Sequence, residues 1–182
     1  MTEKDILNLI QDDKWMMEII STASAINLPQ WIIGAGFVRN KVWDYLSGNI
    51  RQTVDTRDID LVYFDPHGNN EESDNILSEQ LTKKTGVTWE VVNQCYAHKW
   101  NNIPPYTSTE DAISKWPETV TAIGVTQDMN NELRLIAPYG VEDLVNYVIR
   151  PTPLFVDKRE LLKERIVKKK WSDKWPNIKL DA

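Results

Sequence analysis

The chain contains a single cysteine, Cys95, in 182 residues. An internal disulfide is excluded, and so is a zinc site built from several thiolates. Long apolar runs are missing as well. Stretches such as Trp31-Ile32-Ile33 fall far short of the roughly 20 apolar residues that cross a bilayer. The opening MTEKDILNLI has no basic stretch leading into an apolar one, so no secretory leader and no membrane partner is expected, and the expected location is the cytoplasm. There is no internal repeat, low-complexity tract or Gly/Ser linker. Residues 1–182 are therefore expected to form a single domain, with a core over about 31–150, a helical segment 1–28 before it and a basic helical segment 151–182 after it. The remaining composition, 41% hydrophobic and 26% charged, excludes disorder of the chain as a whole.

Charge is spread unevenly. Twenty-one basic and 27 acidic residues give −6, yet the segment Lys158–Lys179 holds nine basic and three acidic residues. That segment is +6 and the rest of the chain −12. One reading is a polyanion-binding appendage through which nucleic acid binds. The other is a solvated helix face, with Leu161, Leu162, Ile166 and Val167 as its buried stripe.

Periodicity predicts one or two helices over Glu3–Ile26, a short buried strand at Trp31–Ile33, and a helix through Val38, Val42, Trp43 and Leu46. Asn49–Arg57 reads as a loop and Ile59–Phe64 as a strand rich in β-branched and aromatic residues. Pro66–Asp74 reads as a polar turn, Ile76–Lys84 as a helix and Val87–Val92 as a strand. A short helix capped by Ser108 or Thr109, a hairpin of Thr119–Thr126 with Leu133–Ile136, a helix at Val141–Tyr147 and a last helix over about Asp157–Lys170 complete the reading. Strands that alternate with helices and then form a hairpin point to an α+β fold, a mixed sheet flanked by helices.

Three stretches carry chemistry. In Arg57-Asp58-Ile59-Asp60-Leu61, residues two apart in a strand face the same way, so Asp58 and Asp60 share a face. Adjacent carboxylates repel and lose hydration, a conflict that a divalent cation removes, and hard oxygen ligands favour magnesium or manganese. A solvent-facing strand edge is the alternative. Gly34-Ala35-Gly36-Phe37-Val38-Arg39-Asn40 is a glycine-containing turn from strand to helix, where backbone N–H groups and the helix N-terminus can meet phosphate. Neither a dinucleotide fingerprint nor a P-loop fits it, because Arg39 stands where the third glycine would be and the lysine–hydroxyl pair is missing. Glu90 is a lone carboxylate in an apolar strand, either exposed or the third corner of a metal cage.

The set and its order resemble the polymerase-β-type nucleotidyltransferases, and in detail the catalytic head domain of bacterial class II CCA-adding enzymes and poly(A) polymerases. Gly34 to Asn40 resembles their Gly-Gly-x-Val-Arg-Asp motif, Asp58-Ile59-Asp60 their Asp-x-Asp strand, and Glu90-Val91-Val92-Asn93 their Glu-Val-Thr-Thr strand. Ile136 to Leu144 is similar to the Asp-Pro-Phe-Gly-Gly-x-x-Asp-Leu segment closing that domain. The resemblance implies a metal-dependent transferase that moves a nucleoside monophosphate from a nucleoside triphosphate to a hydroxyl acceptor, small molecule, RNA or protein, and releases pyrophosphate. It implies two magnesium or manganese ions held by Asp58, Asp60 and Glu90, with Gly34, Gly36, Arg39 and Arg57 on the nucleotide's phosphates. A catalytically silent nucleotide- or nucleic-acid-binding module of the same fold is the competing expectation. Asn40 departs from the motif's aspartate and Ala35 from its paired glycines. Neck, body and tail domains are not expected here, so CCA addition by this chain alone is not expected either.

Overall fold

The computed structural model describes residues 1–49, 58–68 and 70–181. Two helices open the chain, α1 (Glu3–Gln11) and α2 (Lys14–Ser24). Thr2 and Asp5 cap α1 reciprocally: the Asp5 N–H donates to the Thr2 hydroxyl, and the Asp5 carboxylate accepts from the Thr2 N–H at 2.7 Å. Asp13 starts α2 by accepting from the Met16 N–H at 3.0 Å, so the Asp12-Asp13 pair divides the predicted helical segment in two.

β1 (Ile32–Gly34), α3 (Gly36–Leu46), β2 (Ile59–Tyr63), α4 (Glu71–Thr85) and β3 (Trp89–Asn93) follow. Next come α5 (Gln94–Ala97), α6 (Thr109–Ile113), β4 (Gly124–Gln127), β5 (Leu133–Ile136), α7 (Glu142–Val145) and β6 (Val148–Ile149). The chain closes with α8 (Arg159–Lys169), α9 (Trp171–Lys174) and β7 (Lys179–Leu180). A five-stranded mixed sheet has the order β3-β2-β1-β4-β5, with β2 and β3 parallel and the other neighbours antiparallel. The α+β expectation holds.

One face of the sheet, with Ile33, Ile59, Leu61, Tyr63, Trp89 and Val91, packs into a core shared with α1, α2 and α3. On the other face Ile32 and Val62 pack against Ile113, Ala122 and Ile136. Edge strand β3 is covered by a polar stripe of α4. Asp74, Ser78 and Thr82, four residues apart on one helix face, accept from the N–H groups of Asn93, Val91 and Trp89 at 2.7, 2.9 and 3.0 Å. Asp74 also accepts from the Tyr63 hydroxyl at 2.5 Å and from Tyr96. This stripe pins the strand that carries Glu90.

Three predicted boundaries shift. The turn read over Pro66–Asp74 ends at Asn70, which caps α4 through the Ser73 N–H at 3.0 Å, and three acids then favour the first helical turn. The strand read from Thr119 starts at Gly124, because Thr121 and Ala122 donate back to the Glu118 carbonyl at 2.9 and 2.8 Å and close a turn. The helix read to Tyr147 stops at Val145; Tyr147 takes φ +58° and leads into β6, which pairs in parallel with β7. The last predicted helix, about Asp157–Lys170, is α8, closed by Lys170 at φ +53°, and the short α9 follows it.

Candidate active site

Asp60 faces the open end of the sheet because β2 alternates: Ile59, Leu61 and Tyr63 are fully buried on the far side. The parallel register sets Asp60 directly opposite Glu90, and Asp58, just before β2, lies on the same face. Carboxylate oxygens of Asp58, Asp60 and Glu90 all approach within 4.8 Å of one another. Crowding has an electrostatic consequence. Burial, and then the charges of Asp58 and Glu90, push the Asp60 carboxyl up to about 7, while Lys169 and Arg39 pull it back. Three hard oxygen donors that repel one another fit a divalent cation of the magnesium or manganese type.

These acids border a cleft of about 310 Å³, lined also by Ala35, Gly36, Arg39, Trp116 and Thr121. Gly36 and Ala35 face it from the N-terminal end of α3. Gly34 sits one residue back in β1, paired with Gly124. A Cβ on Gly34 would come within 2.7 Å of the Trp116 ring, so a side chain there would displace this wall of the cleft. Ala35 makes the turn at φ +52° and ψ −119°. Arg57 lies outside the described residues.

Arg39 is 5% exposed and held on several sides. Its Nε donates to Asn40 at 3.1 Å and its Nη1 to Thr121 at 2.9 Å. Its guanidinium lies 4.3 Å from the centre of the Trp171 ring and 5.5 Å from that of Trp43. Burial pushes its pKa down to about 10, opposed by the charges of Glu118 and Asp60; the group stays cationic at neutral pH. Asn40, where the motif has an aspartate, thus serves as the acceptor that fixes Arg39.

The basic C-terminal segment forms a wall of this cleft rather than a separate appendage. Arg165, Lys169, Trp171, Lys174 and Trp175 all line it. Arg165 is anchored by the fully buried Glu118, to which its Nε donates at 2.6 Å. Trp171 and Trp175 are 3% and 1% exposed, and both meet Trp43 edge-on at ring centroids 5.9 and 5.1 Å apart. The Trp175 indole N–H donates to Asp44 at 2.9 Å. Buried in the core, the two indoles clamp the last helices to the body of the protein. His98, Lys99, Trp100 and Asn101, in a turn after α5, are not among the residues lining this cleft. Sequence reasoning missed Thr121, Arg165, Lys169 and Lys174 as cleft residues, and Glu118 as the buried anchor of Arg165. Only the run Lys168-Lys169-Lys170 hinted at them, and it does not show which lysine turns inward.

A nucleotidyltransferase family model matches residues 21–180. A structure described as an NMR structure that reveals a CCA-adding enzyme head domain is 34% identical, with a TM-score of 0.86, 98% of this chain covered and 95% of that one. A CCA-adding enzyme in complex with CTP is 17% identical, TM-score 0.59, covering 100% of this chain and 44% of that one. The Thermotoga maritima CCA-adding enzyme complexed with tRNA is also 17% identical, TM-score 0.58, with 43% of its own length covered. At that identity the likeness is one of fold, and this chain spans less than half of either enzyme. Among curated proteins no sequence matches. A family match over nearly the whole chain and an equally complete structural likeness agree with the resemblance seen in the motifs: this protein belongs to the nucleotidyltransferase family, as an enzyme that uses nucleoside triphosphates on the fold of a CCA-adding enzyme head domain.

Proposed function

We propose that the chain, acting as one unit over residues 1–182, transfers a nucleoside monophosphate from a nucleoside triphosphate to a hydroxyl acceptor. The observation that carries this reading is the convergence of Asp58, Asp60 and Glu90 within 4.8 Å at one side of a cleft whose other side is cationic. Asp58 and Asp60 would hold two magnesium or manganese ions, with Glu90 completing the ligand set. Such ions, when bound, neutralise charge at the transferring phosphate and favour the ionised acceptor hydroxyl.

The protein's own groups supply the rest. The acceptor oxygen attacks the α-phosphorus in line, the bond to the β-phosphate oxygen breaks, and pyrophosphate leaves. Glu90, exposed and opposite Asp60, accepts the hydroxyl proton. N–H groups at the start of α3, around Gly36, point toward phosphate with the helix dipole behind them. Arg39 adds a fixed positive charge, and the same role is proposed for Gly34 through its backbone and for Arg57.

Calorimetric titration of ATP, CTP, GTP and UTP with magnesium, on wild type and on Asp60→Ala, tests the reading. Binding that needs both magnesium and Asp60 is expected. Unchanged binding in the variant removes the proposal, and binding with no turnover on any acceptor leaves the silent module.

A further inference from the structure

We infer that α8 and α9 supply the triphosphate-binding cations, with Lys169 and Lys174, beside Arg165, as the residues that contact the β- and γ-phosphates. The inference rests on the proposed nucleotide site and assigns side chains more than 100 residues away from the acidic strand.

Three observations carry it. First, the cleft is polarised. Its carboxylates come from β2, β3 and the residue before β2, whereas Arg165, Lys169 and Lys174 come from the C-terminal helices. Second, opposite charges face each other. Among the described residues, the carboxylates Asp58, Asp60 and Glu90 share the cleft with the cations Arg39, Arg165, Lys169 and Lys174, and the buried Glu118 holds Arg165. Divalent ions on the acids make the cleft positive by an amount that an ionised triphosphate offsets, and a monophosphate offsets less. Third, the backbone that bears the lysines is immobilised. Trp171 directly follows Lys170, Trp175 directly follows Lys174, and both indoles are locked against Trp43. Arg165 is fixed by Glu118, which receives two of its N–H groups. Lys169, exposed and in no ion pair among the described residues, has its charge free for a ligand and is close enough to act on Asp60. A buried aromatic anchor after each cleft-lining stretch holds the backbone of both lysines beside the same cleft, which lowers the entropic cost of a multidentate phosphate contact.

The geometry also gives the direction of the nucleotide. The phosphorus under attack lies at the acids, and the leaving pyrophosphate lies toward α8 and α9.

The test uses the full chain with magnesium: wild type, Lys169→Ala, Lys174→Ala, the double variant, and Lys168→Ala as a control on the same helix but outside the cleft. Each is titrated with the tightest-binding of the four nucleoside triphosphates and with its di- and monophosphate. Each cleft lysine is expected to lower triphosphate affinity about tenfold, monophosphate affinity less than threefold, and the control neither. Equal losses for mono- and triphosphate, or no loss in the double variant, overturn the inference and leave the acidic site standing. A single-stranded RNA oligonucleotide is titrated in parallel, and a loss confined to it also overturns the inference and makes the segment an acceptor surface. No triphosphate binding by wild type removes the nucleotide site and this inference with it. Circular dichroism of each variant, expected to match wild type, checks that the fold is intact.

Discussion

Ala35 turns the chain from β1 into α3 at φ +52° and ψ −119°, a conformation in which a Cβ is crowded and glycine is at ease. Such strain costs roughly 1–3 kcal/mol. Ala35→Gly removes it but gives back about 0.5–1 kcal/mol through the freer unfolded chain. A net gain of about 1 kcal/mol is expected, a rise in Tm of about 2–4 °C, and thermal melts of both proteins check it. The motif glycine that Ala35 replaces was legible in the sequence; the strain was not, because backbone angles follow from where β1 and α3 are held. Asp60 shows a second residue-scale conflict. An acid whose pKa is higher folded than unfolded binds its proton more tightly in the fold. Its stabilising contribution is present near and below the ordinary value of 3.8, declines as pH rises, and is gone above about 7. Without divalent ions, Asp60→Asn is therefore expected to raise the Tm by several degrees at pH 8 and to change it little at pH 4. Added magnesium is expected to stabilise wild type at pH 8 and not the variant. Differential scanning calorimetry across that range reads both, and an unchanged difference between pH 4 and 8 would count against the crowding.

At the scale of elements, strand β3 depends on its helix. Its outward N–H groups end on Asp74, Ser78 and Thr82 of α4, so the helix serves as the missing neighbouring strand. Ser78→Ala leaves the Val91 N–H without its partner and is expected to cost about 1–2 kcal/mol. Hydrogen exchange at Val91 should accelerate more than at Leu61 in the sheet's interior. The triphosphate affinity should fall as well, since Glu90 rides on this strand. The sequence put Asp74 in a turn and only Ser78 and Thr82 on the helix, and their partner was not legible, since the same spacing fits a solvated helix face. Strand β2 was the opposite case. Ile59, Leu61 and Tyr63 alternate with Asp60 and Val62, and that alternation alone set which side the carboxylates take.

For the whole molecule, the C-terminal segment has a structural part that its basic composition does not show. It is a wall of the fold: Trp171 and Trp175 enter the core, and β7 closes on β6. Trp175→Ala removes a large, nearly inaccessible side chain and is expected to cost about 3–5 kcal/mol. Ending the chain after Lys169 deletes both indoles and is expected to unfold much of the molecule, with loss of the cooperative urea transition. A truncated chain that stays folded and still binds triphosphate would refute this wall.

The sequence by itself determined the type of fold, the alternation that gathers Asp58 and Asp60, and the motifs that mark the family. These are local quantities: period, spacing and residue chemistry over a few positions. Tertiary structure alone decided which strand Glu90 adjoins, that Glu118 is buried under Arg165, and which lysine of three consecutive ones turns into the cleft. Those outcomes depend on contacts between residues 30 to more than 100 positions apart, such as Asp60 with Glu90 and Trp43 with Trp175. No local pattern encodes such a distance; the packing of the two sheet faces and of the last helices sets it.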